Sequence, residues 1–167
     1  MRLFCAIIAF ASVGPAAFAS DHESPDSVIK ALYDVISGPI EKKRDAYRFR
    51  ALFHESAKMV SVGDAVDGKV RHQVITVEDY VTRSFPMLER IGFFETEVKR
   101  VTETYGNVVH VFSTYESRRG TKESQPFARG INSVQLMNEG GKWLVMSIVW
   151  QNESASTPIP AKYLPGG

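Results

Sequence analysis

Four histidines, His22, His54, His72 and His110, and one cysteine, Cys5, are the side chains that could most readily hold a soft metal or titrate near neutral pH. Their spacing does not suit zinc, and His54 and His72 read as surface or strand-edge residues. His110 and Glu116 lie six residues apart in a stretch of two-residue periodicity. At strand rise that separation is about 20 Å, so the two cannot work as an acid–base dyad, and Glu116 is expected to pair with Arg118 or Arg129. No phosphate loop, nucleophile elbow or dinucleotide fingerprint is present. Asn152-Glu153-Ser154 matches the three-residue pattern of a glycosylation acceptor. The reading is of a chain that carries no standard catalytic motif and needs no cofactor.

The 167 residues fit one domain, and 20 Lys+Arg against 19 Asp+Glu, with 44% hydrophobic residues, exclude a disordered tail or a charge-driven binder. A net charge of +1 without basic runs leaves no electrostatic footprint for nucleic acid. Arg2, the apolar run from Leu3 to Val13, Gly14-Pro15 and Ala17-Phe18-Ala19 follow the order of a secretory signal. The run is shorter than the roughly 20 residues of a spanning helix. Residues 1–19 are therefore expected to be removed on export to the periplasm or beyond, with no membrane anchor left. Cleavage there takes Cys5 with it, so neither a disulfide nor a cysteine metal site is expected in the mature chain. It would also place His22 third from a free amine, a position able to bind Cu(II) or Ni(II) in square-planar nitrogen geometry.

The elements that position these residues can be read from punctuation and period. Ser24-Pro25-Asp26 starts a helix whose apolar side is Val28, Leu32, Val35 and Ile36, and Gly38-Pro39 ends it. A second helix is expected over 43–53, then a short strand at 59–62 ending at Gly63, with turn chemistry from Asp64 to Lys69. Thr76-Val77-Glu78-Asp79 resembles a capping box and opens a third helix towards Glu89. From Phe93 the period changes to two, with strands expected over 93–104, 107–118, 127–138 and 142–152. Residues 20–153 thus form one α+β domain with helices on one face of a curved antiparallel sheet, and 154–167 is a Pro- and Gly-containing tail.

Two segments carry a resemblance. Arg48-Phe49-Arg50-Ala51-Leu52-Phe53-His54-Glu55-Ser56-Ala57 looks like the second helix running into the first strand of the NTF2-like superfamily. Gly140-Gly141-Lys142-Trp143-Leu144-Val145, with the late Trp150, looks like the opening of its last strand. The chain is similar to the SnoaL-like and ketosteroid-isomerase-like members of that superfamily. The resemblance implies a cone-shaped, cystatin-like fold, three N-terminal helices packed on a curved, mainly antiparallel sheet. It says little about activity. The aspartates that ketosteroid-isomerase-like members use would fall at Ser61 and Gly130 here, and the late His of many SnoaL-like members at Ser147 or Val149. The family's acid–base sets are missing, which argues against steroid-type isomerisation.

Anchored on that resemblance, the concave face is expected to present His110, Phe112, Thr114, Asn132, Met146 and Trp150 as a ligand pocket, with Gly130 opposite Trp150 to make room for the indole. His110 is the best catalytic candidate, and Asn132 needs a hydrogen-bond partner on an apolar face. The opposite face is apolar too, through Val109, Val111, Tyr115 and Ile131, so something must cover it, and a homodimer is expected. Three readings follow: an exported domain binding a small, mainly apolar molecule; a cofactor-free lyase, isomerase or dehydratase with a non-standard acid–base set; or a structural or partner-binding domain whose cavity is filled by its own side chains.

Overall fold

The computed structural model describes residues 20–167; the signal-peptide expectation for 1–19 lies outside the described residues. Helix α1 (Pro25–Ile36) begins where Ser24 Oγ accepts from Ser27 N at 3.1 Å, with proline in its first turn. It buries Val28, Ile29, Leu32 and Val35. Helix α2 is shorter than expected, Ala46–Ala51. Its start is set by buried Arg44, whose guanidinium donates to the carbonyls of Ile36 (2.8 Å), Gly38 (2.8 Å) and Lys42 (2.6 Å) and so pins the linker in a non-helical course. Helix α3 (Val77–Ile91) carries the complete capping box: Thr76 Oγ1 accepts from Asp79 N at 3.0 Å, and Asp79 Oδ2 accepts from Thr76 N at 3.1 Å. Such a cap stabilises a helix by about 1 kcal/mol.

Six strands follow the chain: β1 (Phe53–Val66), β2 (Lys69–Ile75), β3 (Phe93–Tyr105), β4 (Val108–Arg119), β5 (Ala128–Glu139) and β6 (Lys142–Asn152). They form one sheet in the order β2-β1-β6-β5-β4-β3, antiparallel throughout except for the parallel pair β1–β6. The four later strands lie within a residue of their expected bounds. The early hairpin differs. The first strand is far longer than 59–62, because a register shift between Val62 and Ala65 absorbs Gly63-Asp64 within the strand. The reversal falls at Asp67-Gly68, within the expected turn, where φ values of 52° and 73° match a tight hairpin turn. The strand β2 is exposed almost throughout, so it has no hydrophobic alternation to reveal it.

The three helices close over one face of the sheet. Phe49 of α2 is the hub of an aromatic cluster, with ring centroids 4.9 Å from Phe53, 5.2 Å from Tyr80 and 5.2 Å from Phe85. Val109, Val111, Val134, Leu136 and Val145 complete the core from the sheet. On the convex face, the tail folds back. Ile159 is buried there, Thr114 Oγ1 donates to Tyr163 O at 2.7 Å, and the Tyr163 ring lies 4.9 Å from Phe112. Lys99 Nζ donates to Gly167 O at 2.8 Å. The chain's own residues 154–167 thus cover part of the convex face, while Val109, Val111 and Tyr115, expected on that face, are turned inward and buried.

Candidate functional site

Between the helices and the concave face lies a cavity of about 320 Å³, within the range of small-molecule sites. Ile29 and Leu32 of α1, Met87 and Leu88 of α3, and Val134 and Ile148 of the sheet are among the residues of its apolar wall. One side is polar: Tyr33 from α1, Glu95 from β3, Ser113 and Ser117 from β4, and Asn132 from β5.

Glu95 is the chemical centre of that side. It faces Ser117 across the β3–β4 ladder, and Ser117 Oγ donates to its Oε2 at 2.9 Å. Asn132 Nδ2 lies 3.5 Å from Oε1, the outer limit of a hydrogen bond. Glu95 borders the cavity and so keeps some accessible surface, but it is walled in by protein and forms no ion pair among the described residues. Burial pushes its pKa from 4.5 up to about 7, against the opposing pull of the Ser117 and Asn132 hydrogen bonds. A carboxyl poised there can give or take a proton at neutral pH. Tyr33 is held well above the ordinary tyrosine range by burial and by the Glu95 charge, so it stays protonated.

The expected pocket residues divide. Asn132 and Trp150 line the cavity. His110, Phe112 and Thr114 do not: the register pairs Val111 with Val134, Ser113 with Asn132 and Tyr115 with Gly130, which turns the odd residues of β4 inward. His110 is half-buried on the outside of the sheet, with Nε2 3.1 Å from Ser133 Oγ and Nδ1 3.6 Å from Glu103. Phe112 and Thr114 lie under the tail. Met146 is the extra residue of a bulge, since Gln135 pairs with Ser147 and Leu136 with Val145. That bulge lets Val145 and Ile148 both face inward and turns Met146 aside. Gly130 does make room for a ring, but the ring is Tyr115, whose hydroxyl donates to Asn152 Oδ1 at 2.5 Å. Asn132, not Gly130, pairs with Trp150. Glu116 pairs with Arg118 at 2.5 Å, while Arg129 takes Glu153 at 2.7 Å.

Glu95 escaped the sequence reading because alternating Glu95, Glu97 on a strand resembles a solvent face. The one signal was Phe93, on the same face and apolar. His22 has its Nδ1 3.0 Å from Trp143 O, and that nitrogen would have to leave the carbonyl to serve in a square-planar N-terminal site. Among the described residues, no group of three or more His, Cys, Asp or Glu side chains could hold a metal ion.

The cone of helices on a curved sheet, closed around an apolar cavity with one polar wall, is the NTF2-like, cystatin-like fold. Solved structures share it at low sequence identity. A protein of unknown function with a cystatin-like fold from Nostoc punctiforme matches at a TM-score of 0.58 and 10% identity, over 84% of this chain and 90% of its own. An NTF2-like protein from Cytophaga hutchinsonii matches at 0.56 and 14%, over 78% of this chain and 99% of its own. A protein from Kribbella flavida matches at 0.57 and 8%, over 77% and 88%. No family model matches the sequence, and neither does any curated protein.

Proposed function

We propose that this chain, once exported, binds a small, mainly apolar molecule in the cone, with Glu95 and Asn132 holding its polar group. The observation that carries the reading is the open cavity of about 320 Å³, apolar except where the Glu95 wall meets it. Its volume also speaks against a domain whose cavity is filled by its own side chains.

A second reading has its own support. Glu95, with a pKa near 7 against an apolar cavity, fits a cofactor-free lyase, isomerase or dehydratase better than His110 does on the outer face. In that reading Glu95 is the group that exchanges a proton with the bound molecule. The homodimer stays part of the proposal, through what the tail leaves bare of the convex face around Val101, Val108 and Val149.

Native mass spectrometry of the protein recovered from a bacterium expressing the full-length gene tests these points together. The expected species is residues 20–167, dimeric, with an added small mass that is lost on denaturation. An intact 1–167 chain would contradict export, and a monomer at high concentration would contradict the dimer.

A further inference from the structure

The polar wall of the cavity is wired to the surface by a chain of hydrogen bonds whose direction is determined at every link. Glu97 pairs with Arg100 (Oε2 to Nη2, 2.5 Å, and Oε1 to Nε, 2.8 Å), and Arg100 in turn pairs with Asp26, so in this ion pair the Glu97 oxygens accept. Ser113 Oγ lies 2.5 Å from Glu97 Oε1 and must donate its single proton there. Tyr33 OH lies 2.7 Å from Ser113 Oγ, and two oxygens that close need a proton between them. Ser113 has none left, so Tyr33 donates. The Tyr33 oxygen can then only accept from Asn132, 3.2 Å away, which turns the amide so that Nδ2 faces Tyr33 and Glu95. The amide oxygen is left on the other side. It takes no partner among the described residues and is not a buried orphan, and Asn132 lines the cavity.

We infer that Asn132 Oδ1 is an oriented acceptor that selects ligands bearing a hydroxyl or another hydrogen-bond donor over ketones and ethers of the same shape. This rests on the cone being a binding site. A ligand that cannot donate would set its own oxygen against Asn132 Oδ1 and leave two acceptors desolvated and unpaired. The opposite orientation of the amide would set Oδ1 against the Tyr33 oxygen, whose proton is already given to Ser113, and leave one of the two contacts without a proton, which is why a surface ion pair determines what the cavity reads. Ser113 and Tyr33 are positioning residues in this scheme, acting through Asn132.

The test is calorimetric titration of the full-length mature protein with 2-naphthol and with 2-methoxynaphthalene, which share a ring system but differ in the ability to donate. Wild type is expected to bind the naphthol about tenfold more tightly. In Ser113→Ala the Tyr33 proton is free to turn towards Asn132, the amide can rotate, and the preference should fall to within about twofold. Glu97→Gln, whose amide can donate to Ser113 and reverse the chain, should have the same effect without emptying any buried space. Equal binding of both probes by wild type would overturn the inference while leaving the binding site standing. A preference unchanged in both variants would overturn the role of the chain. Failure of both probes to bind would remove the binding reading and this inference with it.

Discussion

Glu95→Gln should make the protein more stable at about pH 8, by about 3 kcal/mol, and should flatten its stability between about pH 5 and 8. The folded protein holds a proton on Glu95 up to about pH 7, whereas the unfolded chain loses it near 4.5. Between those values the folded state binds the extra proton, so stability is full below 4.5 and falls as pH rises through 7. Gln has no proton to lose and can still meet Ser117 and Asn132. In a domain of this size the gain corresponds to a rise in Tm of roughly 6–12 °C. Thermal unfolding of both proteins across that range checks it, and the difference between them isolates Glu95. Carboxylates held low by their partners, such as Glu89 beside Lys43 and Glu153 under the Ile159 N–H and beside Arg129, lose their contribution only in more acid solution. Parallel curves would mean that Glu95 is ionised in the fold and would take away its candidacy for proton transfer. A residue that costs stability where the protein works is the signature of a site kept for function.

Gly130→Ala should cost about 3 kcal/mol, the upper range for forcing extra volume into a packed region. A Cβ at 130 would sit 2.4 Å from the Tyr115 hydroxyl and 2.4 Å from the Gln151 carbonyl oxygen. The carbonyl belongs to β6 and cannot yield without disturbing the β5–β6 ladder. The Tyr115 ring would have to leave Asn152 and enter the cavity. Gly63→Ala is the contrast: its nearest neighbour is the Arg71 carbonyl oxygen at 3.8 Å, so that change should alter stability by less than about 0.5 kcal/mol. Chemical denaturation of the two variants measures the difference, and equal costs would show that the Tyr115–Gly130 packing is not as tight as described.

The parts of this fold that could be read from the chain are those with local punctuation. Ser24-Pro25 and the Thr76–Asp79 box start their helices where the residue chemistry says they should, and Gly106, Gly140 and Gly141, all with positive φ, separate the late strands. What could not be read depends on partners distant in sequence. Both faces of β4 carry buried or half-buried residues, because Phe112 and Thr114 lie beneath a tail that returns from residues 154–167, so alternation alone could not say which face looks inward. Met146 was misplaced by a bulge that no local residue announces. Glu95 was passed over because its burial is created by α1 and β5, far away in the chain. Asn132 and Trp150 were legible for the opposite reason, being polar or bulky residues on strands whose inward parity the late turns preserved.

The central claim is that the cone takes a small apolar guest beside Glu95 and Asn132. The most direct measurement is titration of 2-naphthol into a Trp143→Phe background, where Trp150 on the cavity wall is the only tryptophan left to report. Saturable quenching of Trp150 is expected, and it should disappear in the same background carrying Val134→Phe, which places a ring in the cavity and whose fold is checked by its thermal unfolding. Quenching that never saturates, or that survives Val134→Phe unchanged, would contradict a binding site in the cone.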